Sequence, residues 1–177
     1  MARYVALLRG INVGRNKRMP MASLRELLTD LGYTDVKTLL RSGNAVFTAS
    51  GRTTGPIEQA LERAIADRYS FDVRVLVRTQ EQFAAAVEAN PLPVPDGSRF
   101  LVSFLDKDPA PARIRDIDPA EFEPERFAFG SKALYIWCAN GITDSRLLPA
   151  LSDQSLGVVA TARNWNTVTK LLALAEK

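Results

Sequence analysis

The chain contains no histidine. That removes the commonest general base, the commonest metal ligand and every histidine-dependent triad. One cysteine can neither close an intramolecular disulfide nor build a structural zinc site, and it fits a reducing cytoplasm. Apolar runs fall far short of the ~20 residues that span a bilayer. The start, Met1 to Tyr4, leads straight into a strand-like run without the pattern of a signal peptide, so a cytoplasmic protein with no membrane association is expected. Neither a Gly-Lys-Ser/Thr phosphate loop nor a GxGxxG dinucleotide fingerprint is present. We expect no cofactor and no metal site.

What is there is an ordinary globular composition. Over 177 residues, 46% are hydrophobic and 24% charged, with a net charge of +3. That suffices for one good core or two small ones, and is far from a dedicated nucleic-acid arm. The distribution is more telling than the sum. Arg9, Arg15, Lys17 and Arg18 crowd one short stretch, while Asp106, Asp108, Asp116, Asp118, Glu121, Glu123 and Glu125 crowd another. The plain reading of either run is a solvated face.

Periodicity predicts an α+β chain. Arg3–Arg9 reads as a strand, followed by a glycine-containing basic loop. A helix opens at Pro20, with Leu24, Leu27, Leu28 and Leu31 on one stripe and a stop at Gly32. Ser23 with Glu26 offers a capping box slightly later. Strands at Val36–Arg41 and Asn44–Thr48 flank a tight Ser42-Gly43-Asn44 turn in which Gly43 supplies positive φ. A helix from Gly55-Pro56 and an alternating strand from Phe71 to Val77 complete the order βαββαβ, the ferredoxin-like split unit.

Thr79 with Gln82 caps a third helix, and Pro91, Pro93 and Pro95 mark a connector. The division expected is therefore 1–90 for the ferredoxin-like unit plus a helix, 91–98 for the connector, and 99–177 for a second, smaller α/β subdomain. In that second part Phe100–Leu105 reads as a central strand, and the acidic stretch is too proline-broken for a long helix. A hairpin at Phe127–Phe129 and Ala133–Trp137, a short helix near Arg146–Leu151 and a strand at Val158–Thr161 follow. A final helix carries Trp165, Val168, Leu171 and Leu172 inward. The loosely repeated order is topological, with no residue-level repeat.

In a split βαβ unit the first two strands run parallel and the third returns. The loop after the first strand and the turn between the next two therefore share one end of the sheet. This brings Arg9 to Arg18 beside Arg41-Ser42-Gly43-Asn44, with Arg9, Gly10, Asn12, Gly14, Lys17, Ser42, Gly43 and Asn44 as the candidate ligand contacts. Glycines permit close backbone approach, the Pro20 helix start leaves N–H groups open, and arginines add charge, which together suit an anion. The alternative is a turn whose charges keep a sheet edge soluble.

A second constellation is Arg163-Asn164-Trp165-Asn166-Thr167. Asn164 or Asn166 can cap the last helix and Trp165 can anchor a core. Arg163 is left over, since a cation just before a helix start needs an anion, a carboxylate or a ring to face. Cys138 reads as a buried thiol.

The segments YVALLRGINVG, MPMASLRELL, LRSGNAVF and TARNWNTVTKLL resemble the bacterial family known as domain of unknown function 1697. The resemblance runs in order over essentially the whole chain. It implies a small cytoplasmic α/β protein without an assigned activity. It also marks Arg9, Gly10, Asn12, Gly14, Lys17, Ser42, Gly43, Asn44, Arg163, Asn164, Trp165, Asn166 and Thr167 as hallmark positions. Two departures are Arg15, where a second glycine is usual, and Ala162, where threonine is frequent. The first makes the loop stiffer and more basic.

Three functions stay open on the sequence. The basic edge, including Arg163 and Asn164, could bind a phosphate-bearing ligand, either a nucleotide or a nucleic-acid backbone. The hallmark residues could instead serve folding, or an enzyme could act on a small anionic substrate without histidine or zinc.

Overall fold

The computed structural model describes residues 1–51 and 53–177. It forms two compact units, Met1–Ala85 with Lys170–Lys177, and Ala86–Thr169. The fold is α+β, with a four-stranded antiparallel sheet in each unit. Among the described residues, no helix is long and apolar enough to cross a membrane.

The first unit runs β1 (Ala2–Leu8), α1 (Met21–Asp30), β2 (Thr34–Thr38), β3 (Asn44–Ala49), α2 (Gly55–Tyr69) and β4 (Val75–Thr79). Its strand order is β2-β3-β1-β4, so the βαββαβ order expected from the sequence is present. Both β3 and β4 pair antiparallel to β1. Alternation on β1 sends Tyr4, Ala6 and Leu8 into a core shared with Leu24, Leu27 and Leu28 of α1 and Ile57, Leu61 and Ile65 of α2. Each such leucine contributes about 1.5–3 kcal/mol by leaving water. Gly32, at φ +90°, ends α1, and the Tyr33 N–H donates back to the Leu28 carbonyl at 3.2 Å.

Several boundaries differ from expectation: β2 ends at Thr38, before Arg41, and β4 begins at Val75, after Phe71. Pro20 is the N-cap of α1, outside the helix, and Ser23 lies within it, so no Ser23–Glu26 box forms. The connection between β2 and β3 is wider than a tight turn. It opens where the Leu39 N–H donates to the Asn44 carbonyl at 2.9 Å and passes through Leu40 at φ +60°.

After β4 comes α3 (Gln80–Glu88), and the Thr79–Gln82 box is present in full. The Gln82 N–H donates to Thr79 Oγ1 at 3.1 Å and the Thr79 N–H donates to Gln82 Oε1 at 2.9 Å.

The second unit continues with β5 (Phe100–Leu105), α4 (Pro111–Ile114), a short 3₁₀ turn (Pro119–Phe122), β6 (Arg126–Gly130) and β7 (Ala133–Trp137). It ends with α5 (Leu147–Ala150), α6 (Asp153–Leu156), β8 (Ala160–Asn164) and the start of α7 (Trp165–Glu176). Its order is β6-β7-β5-β8, with β5 internal and buried on both faces as its unbroken apolar run implied. Helix α6 was not foreseen, and β8 runs through Asn164 where the sequence ended it at Thr161.

The two sheets share more than their order. In the first, the Leu8 N–H donates to the Gly43 carbonyl at 2.9 Å and the Arg9 N–H to the Arg74 carbonyl at 2.9 Å. In the second, the Leu105 N–H donates to the Lys132 carbonyl at 3.0 Å and the Asp106 N–H to the Val159 carbonyl at 3.0 Å. Gly43 and Lys132 both have positive φ, at +92° and +50°. The topological repeat is thus matched bond for bond where each first strand ends.

Gly43 is constrained twice. A Cβ there would lie 2.8 Å from Ile11 Cδ1 and 2.9 Å from Leu8 Cβ. Left-handed backbone costs a non-glycine residue about 1–2 kcal/mol, and overpacking adds roughly 1–3. We expect Gly43→Ala to lower unfolding free energy by about 2–5 kcal/mol, read as a lower urea midpoint at unchanged slope.

Candidate functional site

The chain leaves β1 at Leu8 and turns at Gly10, φ +71°. Ile11 plunges into the core at 2% exposure, and Met19 does the same at 1% before α1 begins. Between these anchors the backbone folds back on itself. The Asn12 N–H donates to the Lys17 carbonyl at 3.0 Å, and Val13 bridges Asn16 across Gly14 and Arg15 at the tip. Asn12, Gly14 and Lys17 all take positive φ, which a pinched loop of this kind demands.

The Asn12 side chain holds this loop shut and ties it to the β2–β3 turn. Its Nδ2 donates to the Met19 carbonyl at 2.8 Å and to the Arg41 carbonyl at 2.8 Å, while Oδ1 accepts from the Met19 N–H at 2.8 Å. Both amide protons and the carbonyl oxygen are engaged with backbone. Lys17 Nζ donates to the Asp72 carbonyl at 2.6 Å, fastening the loop to the segment before β4. Asn44 is fully buried, and its Nδ2 donates to the Leu39 carbonyl at 2.8 Å and to Ser42 Oγ at 2.9 Å.

The predicted rim therefore exists. The structure brings Arg9, Gly10, Asn12, Gly14, Lys17, Ser42, Gly43 and Asn44 to one end of the first sheet. Within that group the amides are structural, and the solvent-facing chemistry belongs to the cations. Arg9, Arg15, Lys17, Arg18 and Arg41 are exposed.

A cavity of about 240 Å³ lies on this rim, lined by Asn12, Arg18, Met19, Pro20, Met21 and Arg41. The guanidinium groups of Arg18 and Arg41 make no hydrogen bond or ion pair among the described residues. Pro20 offers α1 no side-chain cap, so the N–H groups of Met21 and Ala22 open the helix without an intrahelical partner. The sequence put Arg18 and Arg41 on this rim but singled out Arg9 and Lys17, not these two walls, as the cations of the site. The signal was there in Lys17-Arg18 and Arg41-Ser42, one cation beside each hallmark cluster.

Arg163 and Asn164 lie in β8 of the second unit. Asn164 Oδ1 accepts from the Thr167 N–H at 2.9 Å and so caps α7. Arg163 is 8% exposed, with Nη1 donating to Thr161 Oγ1 at 2.7 Å and to the Ala162 carbonyl at 2.9 Å. Burial brings its pKa down to about 10. Trp165 meets Phe100 edge-on at 5.5 Å, and its backbone N–H donates to the Gly97 carbonyl at 3.1 Å. Asn166 fills the space beside Gly97, where a Cβ would fall 2.2 Å from its Oδ1.

Cys138 is fully buried. Burial pushes its thiol up, a hydrogen bond with Ser145 pulls against this, and nearby Glu125 adds to the rise. It is no ready thiolate nucleophile. Buried Glu125 accepts from Ser145 Oγ at 2.5 Å and from the Arg146 N–H at 2.9 Å at the start of α5. Among the described residues, no group of three histidine, cysteine, aspartate or glutamate side chains could hold a metal ion.

A family model described as protein of unknown function, DUF1697, matches residues 1–135. The chain belongs to the DUF1697 family. The matched span contains the whole rim; β8 and the Arg163–Thr167 segment lie beyond it. This DUF1697 chain is also similar to a solved structure, the conserved bacterial protein SP0830 from Streptococcus pneumoniae. The two are 25% identical over 98% of each chain, with a TM-score of 0.77. No curated protein matches the chain.

Replacing Asn12 tests its structural role in this DUF1697 protein. Losing three hydrogen bonds at about 1 kcal/mol each predicts a cost near 2–3 kcal/mol for Asn12→Ala. Asn12→Asp turns the donor into an acceptor facing two carbonyls, and it should destabilise at least as much. Urea unfolding of both variants is the check.

Proposed function

We propose that this protein binds a phosphate-bearing or other anionic ligand, either a nucleotide or a nucleic-acid backbone, at the basic rim of its first unit. One observation carries the reading: Arg18 and Arg41, with no partner for either guanidinium among the described residues, flank a cavity over the open first turn of α1. Guanidinium groups present several donors in a fixed fork that suits phosphate and carboxylate oxygens. The N–H groups at the helix start add donors and a positive end of the macrodipole. Met19, Pro20 and Met21 give the cavity apolar walls. The cytoplasmic setting belongs to the same reading, since nucleotides and nucleic acids are found there.

The alternative that the hallmark residues serve folding is favoured at specific positions. The side-chain amides of Asn12, Asn44 and Asn164 all bond to their own unit. We read these asparagines as the scaffold and the arginines as the ligand contacts. The two roles coexist on one rim.

Titration of the ¹⁵N-labelled protein with inorganic phosphate and with AMP tests the reading. Saturable amide shifts are expected at Arg18, Met21, Ala22 and Arg41, with none in the β6–β7 hairpin. Charge-assisted hydrogen bonds are worth about 1.5–3 kcal/mol, so Arg18→Ala or Arg41→Ala should weaken binding by roughly tenfold or more. Shifts that fail to saturate, or that persist in the double variant, would overturn it.

A further inference from the structure

The rim carries more cations than its cavity can use. Arg18 and Arg41 line the depression, but Arg9, Arg15 and Lys17 stand on the same rim without lining it. Arg15 sits at the tip of the Val13–Asn16 bridge, exposed. Residues 9–20 and 39–44 contain no aspartate or glutamate; the acid at this end is Asp72, in the segment before β4 whose carbonyl holds Lys17 Nζ. A single small anion in the depression meets only Arg18 and Arg41.

The cavity is also small. At about 240 Å³ it falls below the roughly 300–1,000 Å³ of pockets that enclose a small ligand. A ligand group that enters it leaves the rest of its molecule outside, along the arginines. Flanking the cations are two exposed apolar side chains, Val13 at 68% and Leu40 at 52%. Leu40 holds a left-handed backbone, φ +60°, that leucine rarely adopts, and it does so with its side chain in solvent. Neither segment contains an aromatic residue, so neither offers a platform for stacking or reading bases.

An extended polyanion answers each of these features. We infer that the rim takes a single-stranded nucleic acid through its phosphodiester backbone, indifferent to base identity. One phosphate occupies the depression between Arg18 and Arg41 while its neighbours lie against Arg9, Arg15 and Lys17. Val13 and Leu40 rest on the apolar faces of sugars and unstacked bases, which a single strand exposes and a duplex turns inward. The inference rests on the anion-binding reading above and narrows its ligand.

Fluorescence anisotropy on the full chain tests it, using labelled oligothymidylates of about 4 and about 16 nucleotides in about 50 to 200 mM NaCl. Affinity should rise with length and match for thymidylate and adenylate oligomers. Each phosphate neutralised contributes a slope of about −0.7 in log K against log salt for single strands, so four contacts predict about −3. Arg15→Ala should flatten the slope by about 0.7, whereas a Val13→Ser, Leu40→Ser double variant should weaken binding at unchanged slope. Equal affinity for duplex, or for inorganic polyphosphate of matching length, would overturn the inference. So would binding of AMP and phosphate with no gain from length, which leaves the anion reading standing. Silence from the oligomers and from phosphate alike would remove both.

Discussion

Three hydrogen bonds from one amide hold the rim together. Asn12 reaches both strands of its own loop at Met19 and crosses to Arg41 on the returning hairpin. Without this tie the loop after β1 would meet the β2–β3 turn only through the Leu8–Gly43 backbone bond and the packing of Ile11 against Gly43. With it, Arg18 and Arg41 are carried on segments fixed to each other, and the cavity between them has a defined shape. The left-handed residues follow from the same tie, because a loop closed this tightly must reverse direction within a few residues. Gly43 lets Ile11 pack beneath the rim, so the apolar core and the polar surface meet at one glycine.

The second unit shows what the same architecture does with other residues. Its first strand ends in the same pair of backbone bonds, but Asp106 stands where the first unit has Arg9. There the acids turn inward on the loop. Asp106 Oδ1 accepts from the Val159 N–H at 2.9 Å and Asp108 Oδ1 from the Lys132 N–H at 2.7 Å. Carboxylates can satisfy neighbouring backbone donors in this way. Arginines have no acceptor to offer an N–H, and those of the first rim project outward instead. One fold thus yields a self-satisfied edge in one unit and a charged, exposed edge in the other.

Much of the fold was legible in the sequence because it rests on short-range rules. The leucine stripe of α1, the reciprocal Thr79–Gln82 box and the unbroken apolar run of β5 each have one local reading, and each is realised. Meeting of the loop and hairpin was legible too, from strand direction alone. The site chemistry was less so. Asparagine is equally suited to a ligand and to a backbone carbonyl, and composition does not say which way an amide faces. Asn12 and Asn44 face inward. The width of the β2–β3 turn was hidden for the same reason, since it is set by Asn44 reaching back to Leu39. Arg163 looked like a cation stranded before a helix. It lies in a strand because β8 continues three residues past Thr161, and Thr161 and Ala162 accept from its guanidinium.

Residues that build the rim and the exposed arginines that stand on it are separable by measurement. Urea unfolding of an Arg18→Ala, Arg41→Ala double variant should give a stability within about 0.5 kcal/mol of the parent protein, as for surface positions away from structural contacts. A loss of several kcal/mol on the scale of core defects, about 2–5, would mean these arginines hold the fold together. The division between scaffold and contact surface would then be wrong.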